Sequence, residues 1–304
     1  MKQRVITGAF IVLGLVIFIV LRQLNTYIFD VLIGAICVCS VFEVSKVLNS
    51  AKFYNNKYVA LSFPVLFYVA FLVASLTKLS FDYFCLIIMG IILIEVTITL
   101  ICAFVSKQKQ ETVSQNYVLK YVLFTTFLFV YPSLFLCNLF IINHCGEIAW
   151  FTNLVSNNLG LLLLIMLFAV TMFTDTFAYF VGSLLKGPKL CPKISPKKTI
   201  SGAIGGLLGG VIASLLCFFL ANLIPSINEL FLSVNASWWQ FLIYGIVGSF
   251  FSQCGDIYAS LIKRKCATKD YSSVFPGHGG FMDRCDGLSF NVIVILVFAS
   301  LLFV

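Results

Sequence analysis

Charge is scarce in this sequence. Of its 304 residues only 11% are Asp, Glu, Lys or Arg, while 61% are hydrophobic. A soluble globular domain is about a quarter charged, so this composition cannot supply a water-facing coat and the implied solvent is lipid. Histidine is nearly missing too. Having only His144 and His278, and no CxxC pair, argues against a Cys/His zinc site. Most of the eleven cysteines, Cys37, Cys85, Cys137 and Cys217 among them, lie in apolar runs, where a thiol behaves as a small hydrophobe. They do not form a disulfide framework. Strand-like alternation and internal repeats are also absent, which argues against a membrane barrel and against the repeated halves of many transporters.

What the sequence has is long apolar runs. About 20 apolar residues make one helical span, and nine runs fit: 5–22, 27–47, 58–76, 81–105, 118–142, 158–182, 201–224, 238–262 and 287–304. Lys2 and Arg4 precede the first, but no small-residue cleavage site follows Leu21, so it reads as a span that stays. The expected fold is therefore an all-α polytopic membrane protein of about nine transmembrane helices. With the N-terminus in the cytoplasm and the C-terminus outside, 18 of the 20 basic residues face inward and only Arg22 and Lys78 do not. That is the asymmetry the positive-inside rule asks for. The net charge of +8 is thus mostly an orientation signal and implies no nucleic-acid partner. Residues 1–157 hold spans one to five and carry no assigned role; Asp30, Glu43 and Glu95 within them are given none. Residues 158–304 form the chemical region, with cytoplasmic loops 183–200 and 263–286.

The loop after span six holds Lys186, Lys189, Lys193, Lys197 and Lys198 among three prolines, and runs into a helix rich in glycine from Gly202 to Gly210. Ser195 or Thr199 is placed to cap that helix. A helix N-terminus beside Lys197 and Lys198 brings N–H groups, dipole and ammonium charge together as an anion site. A positive-inside loop followed by a packing helix explains the same residues, and this segment alone does not decide between them. In span six, Asp175 and Tyr179 are four apart and share a helix face. A carboxylate inside a span is costly and is a functional candidate by default.

The stretch from Gly255 to Asp286 is the most informative. Asp256 and Ser260 stand one turn apart at the cytoplasmic end of span eight, followed by Lys263, Arg264 and Lys269. Asp283 and Asp286 are three apart, with Arg284 between them. Three carboxylates gathered at one interface repel unless a cation separates them, and hard oxygen ligands suit Mg²⁺ completed by water and substrate phosphate. The run Pro276-Gly277-His278-Gly279-Gly280 reads as a phosphate nest of unhindered amides. Together these groups make a toolkit for phosphoryl or nucleotidyl transfer.

At this point the chain resembles the phosphatidate cytidylyltransferase (CDP-diacylglycerol synthase) family. The family signature runs from Ser260 through Lys263-Arg264, Lys269-Asp270 and Pro276–Gly280 to Asp283-Arg284 and Asp286, with every spacer intact. Cys285 stands where an aliphatic is usual. A second segment matches at Asp175, Ala178, Tyr179 and Ser195–Thr199. Two departures are Ser201 and Ala259, where many members have Glu. The resemblance implies transfer of CMP from CTP to phosphatidic acid in the cell membrane, giving CDP-diacylglycerol and pyrophosphate, with the site facing the cytoplasm. It implies Mg²⁺ on Asp256, Asp283 and Asp286 and leaves open a second, monovalent cation and a homodimer. Lys197, Lys198, Lys263, Arg264, Lys269 and Arg284 would hold phosphates, and His278 with Gly277, Gly279 and Gly280 would position the triphosphate. Asp175, Tyr179 and Ser260 would line the cleft. The competing readings are a CTP-dependent polyprenol or phytol kinase, which lacks the full Ser260–Asp286 signature, and a transporter with a cytoplasmic anion site.

Overall fold

A computed structural model describes residues 2–108, 116–148, 150 and 157–303. Lys109, one of the basic residues expected to face inward, lies outside them. In chain order the elements are α1 (Lys2–Arg22), α2 (Thr26–Ser50), α3 (Lys57–Thr77), α4 (Phe81–Gln108), α5 (Tyr117–Leu128), a π-helical segment (Phe129–Leu134) and α6 (Phe135–Asn143). Then follow α7 (Asn157–Leu185), a hairpin of β1 (Lys189–Cys191) and β2 (Ser195–Thr199), α8 (Ile200–Ala221), α9 (Pro225–Ser233), α10 (Trp238–Lys265) and α11 (Met282–Phe303). The fold is nearly all-α, as expected.

Among the described residues seven helical segments are long and apolar enough to cross a membrane, where the sequence predicts nine. A helix underlies each of the nine predicted runs, but two are not among the seven. Of α1, the stretch Ile6–Arg22 is apolar but shorter than those seven. At 28 residues α10 is long enough but less apolar than those seven, with Gln253, Asp256, Lys263, Arg264 and Lys265 in its C-terminal half.

Run 118–142 is predicted as one helix but is broken at its middle. Pro132 has no N–H and pushes the preceding residue out of the helical region; Tyr131 accordingly sits at φ −126°, ψ 121°. Ser133 Oγ donates to the carbonyl of Leu128 at 2.7 Å, meeting an acceptor freed by the break. The loop 183–200 also differs from expectation, since it folds into an antiparallel hairpin with Lys189 opposite Thr199 and Cys191 opposite Ser195.

The chain forms two compact units, Met1–Phe140 with Lys265–Arg284, and Ile141–Arg264 with Cys285–Val304. The segment Lys265–Arg284 thus groups with the N-terminal helices. The first unit is packed with phenylalanine: Phe63, Phe67, Phe71, Phe129 and Phe140 are buried. Phe63 stacks on Phe129 at 5.6 Å, and Phe67 meets Phe84 edge-on at 5.5 Å. The second unit is instead built on close backbone approach. A Cβ at Gly205 would strike Val181, and one at Gly209 would strike Phe177, so α8 lies tight on α7. In the same unit a Cβ at Gly255 of α10 would run into the Asp286 carbonyl of α11. The Asn291 amide of α11 also donates to Thr171 of α7 at 3.0 Å.

Candidate functional site

In the second unit the end of the hairpin and the start of α8 border a cleft of about 310 Å³, together with α7 and α10. The local chemistry explains its shape. Thr199 is extended and its Oγ1 accepts the Gly202 N–H at 3.1 Å, so Thr199, rather than Ser195, caps α8. Capping directs Lys197 and Lys198, the two residues before it, into the cleft at the positive end of the helix. Lys198 Nζ lies 2.6 Å from Asp256 Oδ2 of α10. Ser260, one turn along α10, reaches Asp256 Oδ1 at 3.4 Å. Asp175 and Tyr179 line the cleft from α7.

Asp286 is within electrostatic range of Asp256, Asp175 and Lys263. Its Oδ1 accepts the Gly287 N–H at 2.8 Å. Lys263 is only 8% exposed. A lysine that merely snorkelled to lipid headgroups would keep its ammonium in water, so burial favours a site role. Arg264 is exposed, but its Nε donates to the Ile194 carbonyl at 3.1 Å and ties α10 to the hairpin. Sequence reasoning missed Gln253, a cleft residue whose amide donates to the Ala203 carbonyl at 3.2 Å.

The two departures from the family pattern have distinct surroundings. Ser201 Oγ accepts the Gly187 N–H at 3.3 Å and lies 3.1 Å from Thr199 Oγ1, so it joins the helix start to the loop before the hairpin. Ala259 is fully buried on α10, with no solvent for a carboxylate.

The remaining predicted residues belong to the first unit. Gly277 and Gly279 have φ of 77° and 81°, left-handed values that side chains disfavour. The loop closes on itself: Phe275 N donates to the Gly279 carbonyl and His278 N to the Phe275 carbonyl, both at 2.8 Å. Asp283 Oδ2 accepts the N–H groups of Tyr271 at 2.8 Å and Gly280 at 2.9 Å. The amides of His278 and Gly280 therefore already donate within the loop, which corrects the expectation of a nest of unhindered amides. The glycines serve a tight turn and close carboxylate approach instead. Lys269 and Arg284 are exposed.

Glu43 of α2, which carries no role on sequence grounds, is the unforeseen participant. It is 4% exposed and accepts Ser272 Oγ, Phe281 N and Met282 N. No local signal announces a pairing across 229 residues.

Among the described residues no three His, Cys, Asp or Glu side chains converge to hold a metal ion. Mg²⁺ is commonly held by one or two carboxylates with water and substrate phosphate. Asp256 and Asp286 have the hard anionic oxygens such an ion takes and fit that donor set in kind. Asp283, with Oδ2 committed to two backbone amides, is differently employed.

A model of the cytidylyltransferase family matches residues 2–302. A phosphatidate cytidylyltransferase from Staphylococcus saprophyticus is 31% identical over 143 residues, 45% of this chain and 51% of that protein. One from Brucella abortus is 38% identical over 142 residues, 47% of this chain and 48% of that protein. The chain spans about half the length of the curated relatives it matches. From the family match, which covers nearly the whole chain, it belongs to the cytidylyltransferase family.

Proposed function

We propose that this member of the cytidylyltransferase family transfers the cytidylyl group of CTP to the phosphate of phosphatidic acid. A lipid phosphate oxygen attacks the α-phosphorus of CTP, the bond from that phosphorus to the bridging oxygen breaks, and pyrophosphate leaves. The observation that carries the reading is the cleft lined by Lys197 and Lys198, just before α8, and by Asp256 and Asp175. Both reactants are anions and the nucleophile is already ionised near neutral pH, so alignment and charge neutralisation are the main tasks. Lys197 and Lys198 bind and orient phosphate, with the α8 N-terminus adding its dipole. Buried Lys263 offsets the charge of Asp286. Asp256 and Asp286 would hold Mg²⁺, which would neutralise charge developing on the transferred phosphoryl and leaving groups. Asp283 is read as the brace of its loop.

The finer topology belongs to the same proposal: nine spans with the N-terminus inside, so that α8 begins at the cytoplasmic face. The distribution of basic residues supports it, with Lys186, Lys189, Lys193, Lys197 and Lys198 clustered between α7 and α8.

The test is an assay of purified protein with CTP labelled in the base and phosphatidic acid. The expected products are a lipid-soluble cytidine compound and pyrophosphate in equal amounts. A polyprenol kinase would instead release CDP and leave the label in water. Either that outcome, or no lipid-linked cytidine in any lipid system, would overturn the reading.

A further inference from the structure

The helices before residue 140 have no place in the chemistry above, yet one of their carboxylates holds the glycine loop. Glu43 Oε1 accepts Ser272 Oγ at 2.6 Å and Phe281 N at 3.0 Å, while Oε2 accepts Met282 N at 2.9 Å. Met282 is the first residue of α11, so the carboxylate caps that helix from another part of the chain. The first amides of a helix have no partner within it, and a negative charge there also meets the dipole favourably. Glu43 presses so closely that a Cβ at Gly280 would run into both its oxygens. Asp283 takes the Gly280 amide, so two carboxylates between them bind three successive N–H groups, from Gly280 to Met282. From α1, Thr7 Oγ1 donates to the Pro276 carbonyl at 3.3 Å.

A buried carboxylate accepting three hydrogen bonds is costly to place and stiffens what it binds. Glu43 has no part in the chemistry proposed above, so its effect is indirect. We infer that Glu43 is a positioning residue for the cytidylyl transfer: it fixes the loop carrying His278 and the start of α11, the helix that bears Asp286. This rests on the proposed reaction. It also gives α2 a task beyond anchoring, since replacing the carboxylate would loosen the turn on which the signature residues are mounted.

The test compares Glu43→Gln and Glu43→Ala with Glu95→Gln in the purified full chain. Glu95 is a control of similar burial in the same unit, 1% exposed and bonded to Ser62 at 2.7 Å, and the chemistry does not use it. Misplacing a reacting group by about 1 Å costs on the order of 10²-fold in rate. Glu43→Ala is therefore expected to lower kcat for lipid-linked cytidine by about that factor, with a smaller change in KM for phosphatidic acid. Glu43→Gln, which keeps the shape and one acceptor oxygen, is expected to recover part of the loss, and Glu95→Gln to retain wild-type kcat. Amide hydrogen exchange supplies a readout independent of turnover. Glu43→Ala should exchange faster at residues 271–282, with the rest of the first unit unchanged. Where Glu43→Ala does not fold, Glu43→Gln decides, with reduced kcat at an unchanged melting temperature supporting the role. Wild-type kcat and wild-type exchange in Glu43→Gln would overturn it, as would an equal loss in Glu95→Gln. If the wild-type chain makes no lipid-linked cytidine, the proposed reaction fails. The hold on the loop is then judged by exchange alone, and unchanged protection in Glu43→Ala refutes it.

Discussion

Lys198 Nζ and Asp256 Oδ2 lie 2.6 Å apart, joining the residue before the cap of α8 to the middle of the last turns of α10. Both side chains are partly exposed, 24% and 32%, so the pair adds little stability on its own. Its importance is positional. It places a cation and an anion side by side at the helix end where phosphate would bind, and the two should respond differently when removed.

Asp256→Asn keeps size and removes a hard anionic oxygen. Losing one well-placed electrostatic group typically lowers kcat by about 10²–10³-fold, and raised Mg²⁺ should restore part of the loss if occupancy is what failed. Lys198→Met should instead raise KM for CTP, with little help from Mg²⁺. Steady-state kinetics at several Mg²⁺ concentrations separates the two, and near-normal turnover of Asp256→Asn at low Mg²⁺ would refute the metal role.

Asp283 and Asp286 should part company in the same assay. Asp286→Asn is expected to respond to Mg²⁺ as Asp256→Asn does. Asp283→Asn weakens the acceptor for two buried amides, a loss of about 1–3 kcal/mol, so its melting temperature should fall and added Mg²⁺ should not restore activity. Recovery of Asp283→Asn by Mg²⁺ would return Asp283 to the ligand set that the sequence suggests.

Putting glutamate back at the two family positions should have unequal effects. Ala259→Glu introduces a carboxylate where the side chain is fully buried, and an uncompensated buried charge costs several kcal/mol. A marked drop in melting temperature is expected. Ser201 is partly exposed at the helix start, where an acidic side chain suits the dipole, so Ser201→Glu should fold normally. Wild-type activity without either change shows that neither glutamate is obligatory here; an inactive wild type rescued by one of them would show the reverse.

Orientation is testable by labelling with an impermeant maleimide, provided the thiols are chosen with burial in mind. The reactive species is the thiolate. Burial pushes the Cys145 thiol up to about 12 and also raises that of buried Cys266, so both should react slowly near neutral pH from either side. Exposed positions report better. In intact cells Lys78→Cys should label and Lys193→Cys should not, each against a background without reactive native thiols. Outside labelling of Lys193→Cys would invert the proposed topology.

Composition alone determined that the chain lives in lipid, because 11% charge cannot coat a protein in water. The signature spacing pointed to the right family, since a cleft for phosphate needs lysine, carboxylate and a helix start within a short stretch. The apolar runs located every long helix, but hydropathy is blind to backbone detail. It passed over the break at Pro132 and the hairpin that carries Lys197 and Lys198. Tertiary structure decided what each carboxylate does. Asp256, Asp283 and Asp286 look alike in sequence, yet Asp283 is occupied by the amides of Tyr271 and Gly280 while Asp256 faces Lys198. Glu43 was invisible as a partner of the loop, because a contact across 229 residues exists only once the chain has folded.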